Sequence, residues 1–198
     1  MTLREAEQTE FDVFIDDISE RCFEGEPVPR ALRALWREQF DRGKSLLRDA
    51  AYGEVTLVER PAEEHPELQA FYFSNDKWGR GYRRMFEEIT LFGEGADGHF
   101  YGLWRYDDED RLGDAPVVRL DNEGQWRVMG PDIEGFILRS ASWSDETEVA
   151  RARRWLERRG LGPCEQLDEI EEECESLPDP DESYLDYVER LPASSSNR

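Results

Sequence analysis

The chain has 198 residues, 38% of them hydrophobic and 12% aromatic, which is enough apolar side chain to fill the core of one domain and excludes a disordered acidic tail. Its formal net charge of −22 disfavours anionic membranes and is the opposite of the basic face that a nucleic-acid binder carries. Such a charge either attracts a basic protein or serves solubility alone.

The cysteines and the N-terminus indicate a reducing compartment. Cys22, Cys164 and Cys174 form no C-x-x-C pair, so reduced thiols are expected and a disulfide framework is not. The first residues are acidic where a signal peptide would be basic and then apolar. No apolar run approaches the ~20 residues that span a bilayer. We therefore expect a cytoplasmic protein.

The first half of the chain is typical of helices followed by strands. The apolar residues from Phe11 to Cys22 recur at helical spacing, with Thr9 as the expected N-cap. The next predicted elements, in order, are a helix opened by Pro29, a strand at Val55–Val58, a strand at Leu68–Phe73 and a loop over residues 74–81.

The middle of the chain predicts a small antiparallel sheet. Three short apolar runs lie at Phe100–Tyr106, Ala115–Asp121 and Gln125–Met129. Asp121-Asn122-Glu123-Gly124 separates the last two and is a hairpin signal, because Asn and Gly tolerate a positive φ.

The last third predicts four more helices. Pro131 is placed in the first turn of one, and Ser144 is expected to cap the next. From Glu165 to Leu177 an apolar stripe runs through dense carboxylates, and Asp179–Asp181 is interpreted as a linker before a short final helix. We predict an α+β fold in which N-terminal and C-terminal helices pack on a small, mostly antiparallel sheet. Residues 1–163 would form the domain and residues 164–198 an acidic helical extension with a frayed tail.

The central segment resembles the SUKH superfamily of α+β proteins, which includes bacterial immunity proteins and fungal regulatory scaffolds. The matching residues are Phe92-Gly93, Asp97-Gly98, Tyr101-Gly102-Leu103, Pro116-Val117-Val118, Leu120-Asp121, Glu123-Gly124 and Val128-Met129. The resemblance covers about a quarter of the chain, and its glycines and Asp serve turns. It implies binding without catalysis. Bacterial members typically neutralise a toxin, often a basic nuclease.

Candidate partner-binding residues are chosen from the acids and from one aromatic anchor. They are Asp107, Asp108, Glu109 and Asp110, then Glu169, Glu172 and Glu173, and Trp104 as a possible exposed contact. The Asp107–Asp110 run could instead be a solvated turn or, less well, a calcium loop, in which Arg111 stands where an oxygen ligand is expected.

Other motifs give weaker support for chemistry. Glu94–His99 is glycine-rich but lacks the Lys and Ser/Thr of a phosphate loop, so it is interpreted as a turn. His65 and His99 show no metal spacing, and a Cys–His nucleophile pair stays open with a buried structural Cys22 as the alternative.

The sequence therefore predicts a non-catalytic protein with no cofactor and no metal. As the resemblance implies, its expected partner is a cognate basic toxin protein, and neither nucleic acid nor a membrane is expected. The alternatives are a scaffold adaptor without a toxin and an enzyme based on two carboxylates in a deep cleft.

Overall fold

The computed structural model describes residues 3–42, 48–49, 53–95, 98–106, 111–162 and 166–192. Within these residues the helices are α1 (Leu3–Cys22), α2 (Arg30–Arg42), α3 (Lys77–Phe86), α4 (Ile133–Ser142), α5 (Glu146–Glu157), α6 (Leu167–Ser176) and α7 (Pro180–Arg190). The strands are β1 (Arg48–Asp49), β2 (Gly53–Leu57), β3 (Ile89–Gly95), β4 (His99–Trp104), β5 (Val117–Leu120) and β6 (Trp126–Gly130).

The strands form one antiparallel meander in chain order, with the two-residue β1 at one edge. Each strand pairs with the next, so every connection joins neighbouring strands. In the β5–β6 pair Leu120 lies opposite Trp126, and Gly124 in the turn has a φ of 82°. The predicted α+β class, the three central strands and their hairpin are confirmed.

Both faces of the sheet are buried. Along β4 the side chains alternate, because Tyr101 and Leu103 point to one apolar core while Phe100 and Trp104 point to the other. Antiparallel sheets often leave one face in water. Here the second face must be covered as well, so the fold is a sheet between two helical layers.

The two layers draw on different parts of the chain. The first core joins the sheet to α1, α2, α4, α5 and α6. The second core joins the sheet to a π-helical segment at Leu68–Tyr72, α3 and α7.

The predicted division of the chain at residue 163 stays a prediction, and the helices that follow it pack on the sheet. The boundary itself, residues 163–165, lies outside the described residues. Ile170 of α6 is 1% exposed in the first core, and Val188 of α7 is 3% exposed in the second. The C-terminal helices are thus docked on opposite sides of the sheet and complete both layers.

Two predicted segments have a different structure. The predicted strand at residues 68–73 is wrong, because the backbone of Leu68–Tyr72 closes into a π-helical turn. Within residues 68–73 only Leu68 and Phe73 are buried, and Phe71 is 77% exposed. The loop expected over residues 74–81 contains the start of α3, whose N-cap Asp76 accepts a hydrogen bond from the Gly79 amide at 2.7 Å.

The glycines of α3 made its sequence look like a loop, but Gly81 is needed for helix packing. A Cβ on Gly81 would lie 2.5 Å from Cγ2 of Val188, so the glycine lets α7 approach α3 closely. The Asp179–Asp181 linker is likewise the start of a helix, since Asp179 caps α7 and Pro180 occupies its first turn.

The expected caps Thr9 and Ser144 were wrong. Thr9 lies inside α1, where its hydroxyl donates to the Glu5 carbonyl at 2.8 Å. Asp145 caps α5 by accepting from the amides of Thr147 and Glu148. A carboxylate also opposes the positive end of the helix dipole, an advantage that a neutral serine lacks.

The docked position of α6 leads to a stability prediction. Replacing Ile170 with Ala should lower the free energy of unfolding by about 2–5 kcal/mol, because it leaves a cavity in the first core. Leu185→Ala on α7 is the control: Leu185 is 46% exposed, so its loss should cost less than about 1 kcal/mol. Urea denaturation measures both. Equally small losses would mean that α6 is not part of the cooperative core.

Candidate functional site

The site that the described residues support best is a groove at one end of the sheet, which we call the acidic groove. Its volume is about 750 Å³. Its walls come from the π-helical segment, α3, the β3–β4 connection and the β5–β6 turn. The residues that line it are Glu67, Phe71, Tyr72, Tyr82, Glu94, Gly95, Gly98, Phe100, Asn122, Glu123 and Gly124.

Two tyrosines tie the groove to the β5–β6 turn. The Tyr72 hydroxyl donates to the Asp121 carbonyl at 2.9 Å, and the Tyr82 hydroxyl donates to the Gly124 carbonyl at 2.8 Å. Their ring centroids are 5.1 Å apart in an edge-to-face arrangement. A Cβ on Gly124 would lie 2.3 Å from the Tyr82 hydroxyl, so both contact and φ require glycine.

The turn itself is held from inside by Asp121. The side chain of Asp121 is mostly buried, and its Oδ1 accepts from the amides of Glu123 at 3.0 Å and Gln125 at 2.9 Å. This Asx arrangement fixes the backbone that presents Asn122 and Glu123 to solvent. The turn residues that the sequence indicated therefore also form one wall of the groove.

One carboxylate of the groove is anchored to a buried imidazole. His65 is 4% exposed, and its Nε2 lies 3.2 Å from Oε2 of Glu94. The His65 ring also packs edge-on against Phe100, with centroids 5.0 Å apart. Glu94 is thus fixed at the groove, whereas Glu67 and Glu123 are exposed on its rim.

The groove combines negative charge with aromatic surface. Three glutamates line it, and among its described lining residues none is Lys, Arg or His. Phe71, 77% exposed, adds a free phenyl ring beside the two tyrosines. Carboxylates together with aromatic faces suit a guanidinium or ammonium group, through charge-assisted hydrogen bonds and cation–π contact.

The same negative surroundings act on Tyr72. Burial, then Tyr82, Asp121 and Glu67, raises the pKa of Tyr72 to about 12. The phenol is therefore neutral at physiological pH and available as the donor to Asp121.

The acids predicted on the C-terminal segment lie elsewhere. Glu169, Glu172 and Glu173 are all exposed on α6, which packs on the first face of the sheet, whereas the acidic groove is walled by segments of the second core. Glu169 also caps its own helix, since its Oε2 accepts from the Gln166 amide at 2.7 Å. Six carboxylates face solvent on α6, and the helix contains no basic residue.

The remaining candidates are the acidic run Asp107–Asp110 and Trp104. Asp107, Asp108, Glu109 and Asp110 lie outside the described residues, so their role stays a prediction. The prediction of Trp104 as an exposed anchor is wrong. Trp104 is 1% exposed in the second core, and its indole N–H lies 3.5 Å from Glu88. Trp126 is 3% exposed and belongs to the same core.

The described residues offer little for metal or thiol chemistry. No group of three or more His, Cys, Asp and Glu among them could hold a metal ion. Burial raises the pKa of the Cys22 thiol to about 11, so this thiol is protonated at neutral pH and is a poor nucleophile. No helix in the described part of the chain has the length and apolar character of a membrane span.

Comparisons of the chain with protein-family models, with curated proteins and with solved structures gave no match. The function is therefore argued from the acidic groove and the charge of the chain.

The tyrosine contacts lead to a prediction on pH and stability. Tyr72→Phe should cost about 1 kcal/mol of unfolding free energy near neutral pH, because the Asp121 carbonyl loses its donor. A raised folded-state pKa gives stability that is full below the unfolded value of about 10 and is lost as the pH rises through about 12. Tyr72→Phe should therefore lose less stability than wild type between about pH 10 and about pH 12.

Urea denaturation at several alkaline pH values measures this difference. If the free energy of unfolding falls with pH equally in wild type and in Tyr72→Phe, the pKa of Tyr72 is not raised by folding.

Proposed function

We propose that this protein is a non-catalytic binding protein of the immunity type, which captures a basic toxin in the cytoplasm through the acidic groove. The observation that carries the proposal is the groove itself: three glutamates, an exposed phenylalanine and two tyrosines, with no basic residue among its described lining residues. The net charge of −22 supports the proposal, because it speeds the encounter with a positively charged protein.

The recognised group would be an arginine or lysine side chain of the partner. Glu94, held by His65, offers a positioned carboxylate, and Glu67 and Glu123 can approach the cation from the rim. Phe71 and Tyr72 would cover its alkyl stem and one face of its charge. The acids of the Asp107–Asp110 run and of α6 would steer the partner rather than anchor it.

Of two other functions, the enzyme fits the groove less well and the scaffold adaptor fits it equally well. A carboxylate enzyme needs its acids in a sheltered cleft, whereas Glu67 and Glu123 are both exposed. A scaffold adaptor would use the same groove for a basic partner that is not a toxin. The adaptor and the immunity protein differ in the partner's activity, which an assay in cells can test.

The groove is tested first with a tetra-arginine peptide, in which neutral citrulline replaces arginine as the chemical control. Removing two groove charges, in Glu67→Gln/Glu123→Gln, should weaken peptide binding by about 1–2 kcal/mol, or roughly five- to thirtyfold, at low salt. Glu182→Gln/Glu189→Gln on α7 makes the same change in net charge at exposed positions away from the groove. Calorimetric titration measures the affinities.

Equal weakening in the two double variants would mean that the peptide responds to net charge alone, and the groove would be abandoned as the binding site. Tight binding of the citrulline peptide would equally contradict recognition by charge.

The toxin is tested in cells. The protein should protect a host that expresses the product of the open reading frame adjacent to its own, and Glu67→Lys/Glu123→Lys should lower that protection by reversing the rim of the groove. A product that binds the groove but harms no cell would favour the adaptor. The triple change Asp107→Lys/Asp108→Lys/Asp110→Lys in the same assay tests the loop.

A further inference from the structure

A second cavity has the opposite charge. It lies between α2, α4 and α5, with a volume of about 430 Å³, and we call it the arginine cavity. Four arginines line it, Arg42, Arg151, Arg158 and Arg159, together with the two acids Glu38 and Glu148. This size falls within the range of small-molecule sites.

A buried carboxylate holds part of this cluster in place. The Glu38 side chain is 7% exposed and lies 2.7 Å from Nη2 of Arg159 and 2.7 Å from Nη2 of Arg42. The Trp155 indole N–H lies 3.5 Å from the same carboxylate, and the Arg159 guanidinium lies 4.1 Å from the centre of the Trp155 ring. Arg159 is therefore fixed by an ion pair and by stacking before any ligand arrives.

The ion pairs leave a surplus of positive charge. Glu38 serves two arginines, and Glu148 pairs with Arg151. Arg158 donates through Nε to the Arg154 carbonyl at 2.9 Å, a contact that does not neutralise its charge. Four arginines against two glutamates give two net positive charges, in a chain whose total is −22.

The walls between the arginines are apolar. Leu35, Ile137, Ala141, Ala152 and Trp155 contribute to the lining, and Trp155 is 8% exposed. The cavity thus offers guanidinium forks beside an apolar surface. A bare inorganic ion would leave that surface wet, whereas an anion with a ring would cover it.

We propose that the arginine cavity binds a small organic anion, with a carboxylate or phosphate head on a flat apolar body. The head would be held by Arg158 together with Arg159, and the body would lie along Ile137 and Trp155. The site does not depend on the acidic groove, since it is built on the helices of the first core.

The test uses four probes on the full chain: phenyl phosphate, benzoate, the neutral benzamide and inorganic phosphate. Calorimetric titration should show saturable one-site binding of an aromatic anion, weaker binding of inorganic phosphate and none of benzamide. Arg158→Gln should weaken binding of the aromatic anion about tenfold, since it removes a charge-assisted contact. Arg158 is exposed, so this variant is expected to fold.

Arg154→Gln is the matched control, because Arg154 is an exposed arginine of the same helix that does not line the cavity. A preference for phenyl phosphate or for benzoate identifies the head group. The proposal is overturned if neither aromatic anion binds, if benzamide binds as well as benzoate, or if the two arginine variants weaken binding equally.

Discussion

The burial of both sheet faces is the constraint on which the rest of the structure depends. The strands alternate apolar side chains toward two cores, so Tyr101 and Phe100, adjacent in β4, need separate helical layers. The last two helices contribute buried side chains to these layers, α6 to the first core and α7 to the second. Close approach then matters, which is why α3 has Gly81 where α7 brings Val188 against it. The acidic C-terminal segment is structural first and electrostatic second.

The sequence predicted those parts of the fold whose signal is local. The hairpin followed from Asp121 and Gly124, whose side chain and positive φ make the turn by themselves. Prediction from the sequence failed where tertiary packing decides the structure of a segment. Gly79 and Gly81 indicated a loop, but Gly79 lies against Ser74 and Gly81 lets α7 approach α3. The apolar and aromatic segment 68–73 indicated a strand but contains a π-helical turn.

The candidate site was harder to predict because four separate segments build it. The sequence identified acids by their density, at Asp107–Asp110 and on α6, yet the acidic groove gathers isolated glutamates that are distant along the chain. No local signal marked Phe71, which stands in the run Ala70-Phe71-Tyr72-Phe73, and its exposure follows only from the π-helical backbone. The sequence around Trp104 was equally uninformative, since this tryptophan, separated from the acidic run by two residues, belongs to the core.

Charge is unevenly distributed on this molecule, with carboxylates on the acidic groove and on α6 and arginines gathered at one cavity. In the proposed function the acidic groove, and not the general negative surface, recognises a basic group. Nuclear magnetic resonance of the labelled protein during titration with the tetra-arginine peptide tests it most directly. Signals of Tyr72, Tyr82, Glu94 and Gly124 should shift first and saturate. Shifts confined to the α6 carboxylates, or spread over all exposed acids, would contradict it.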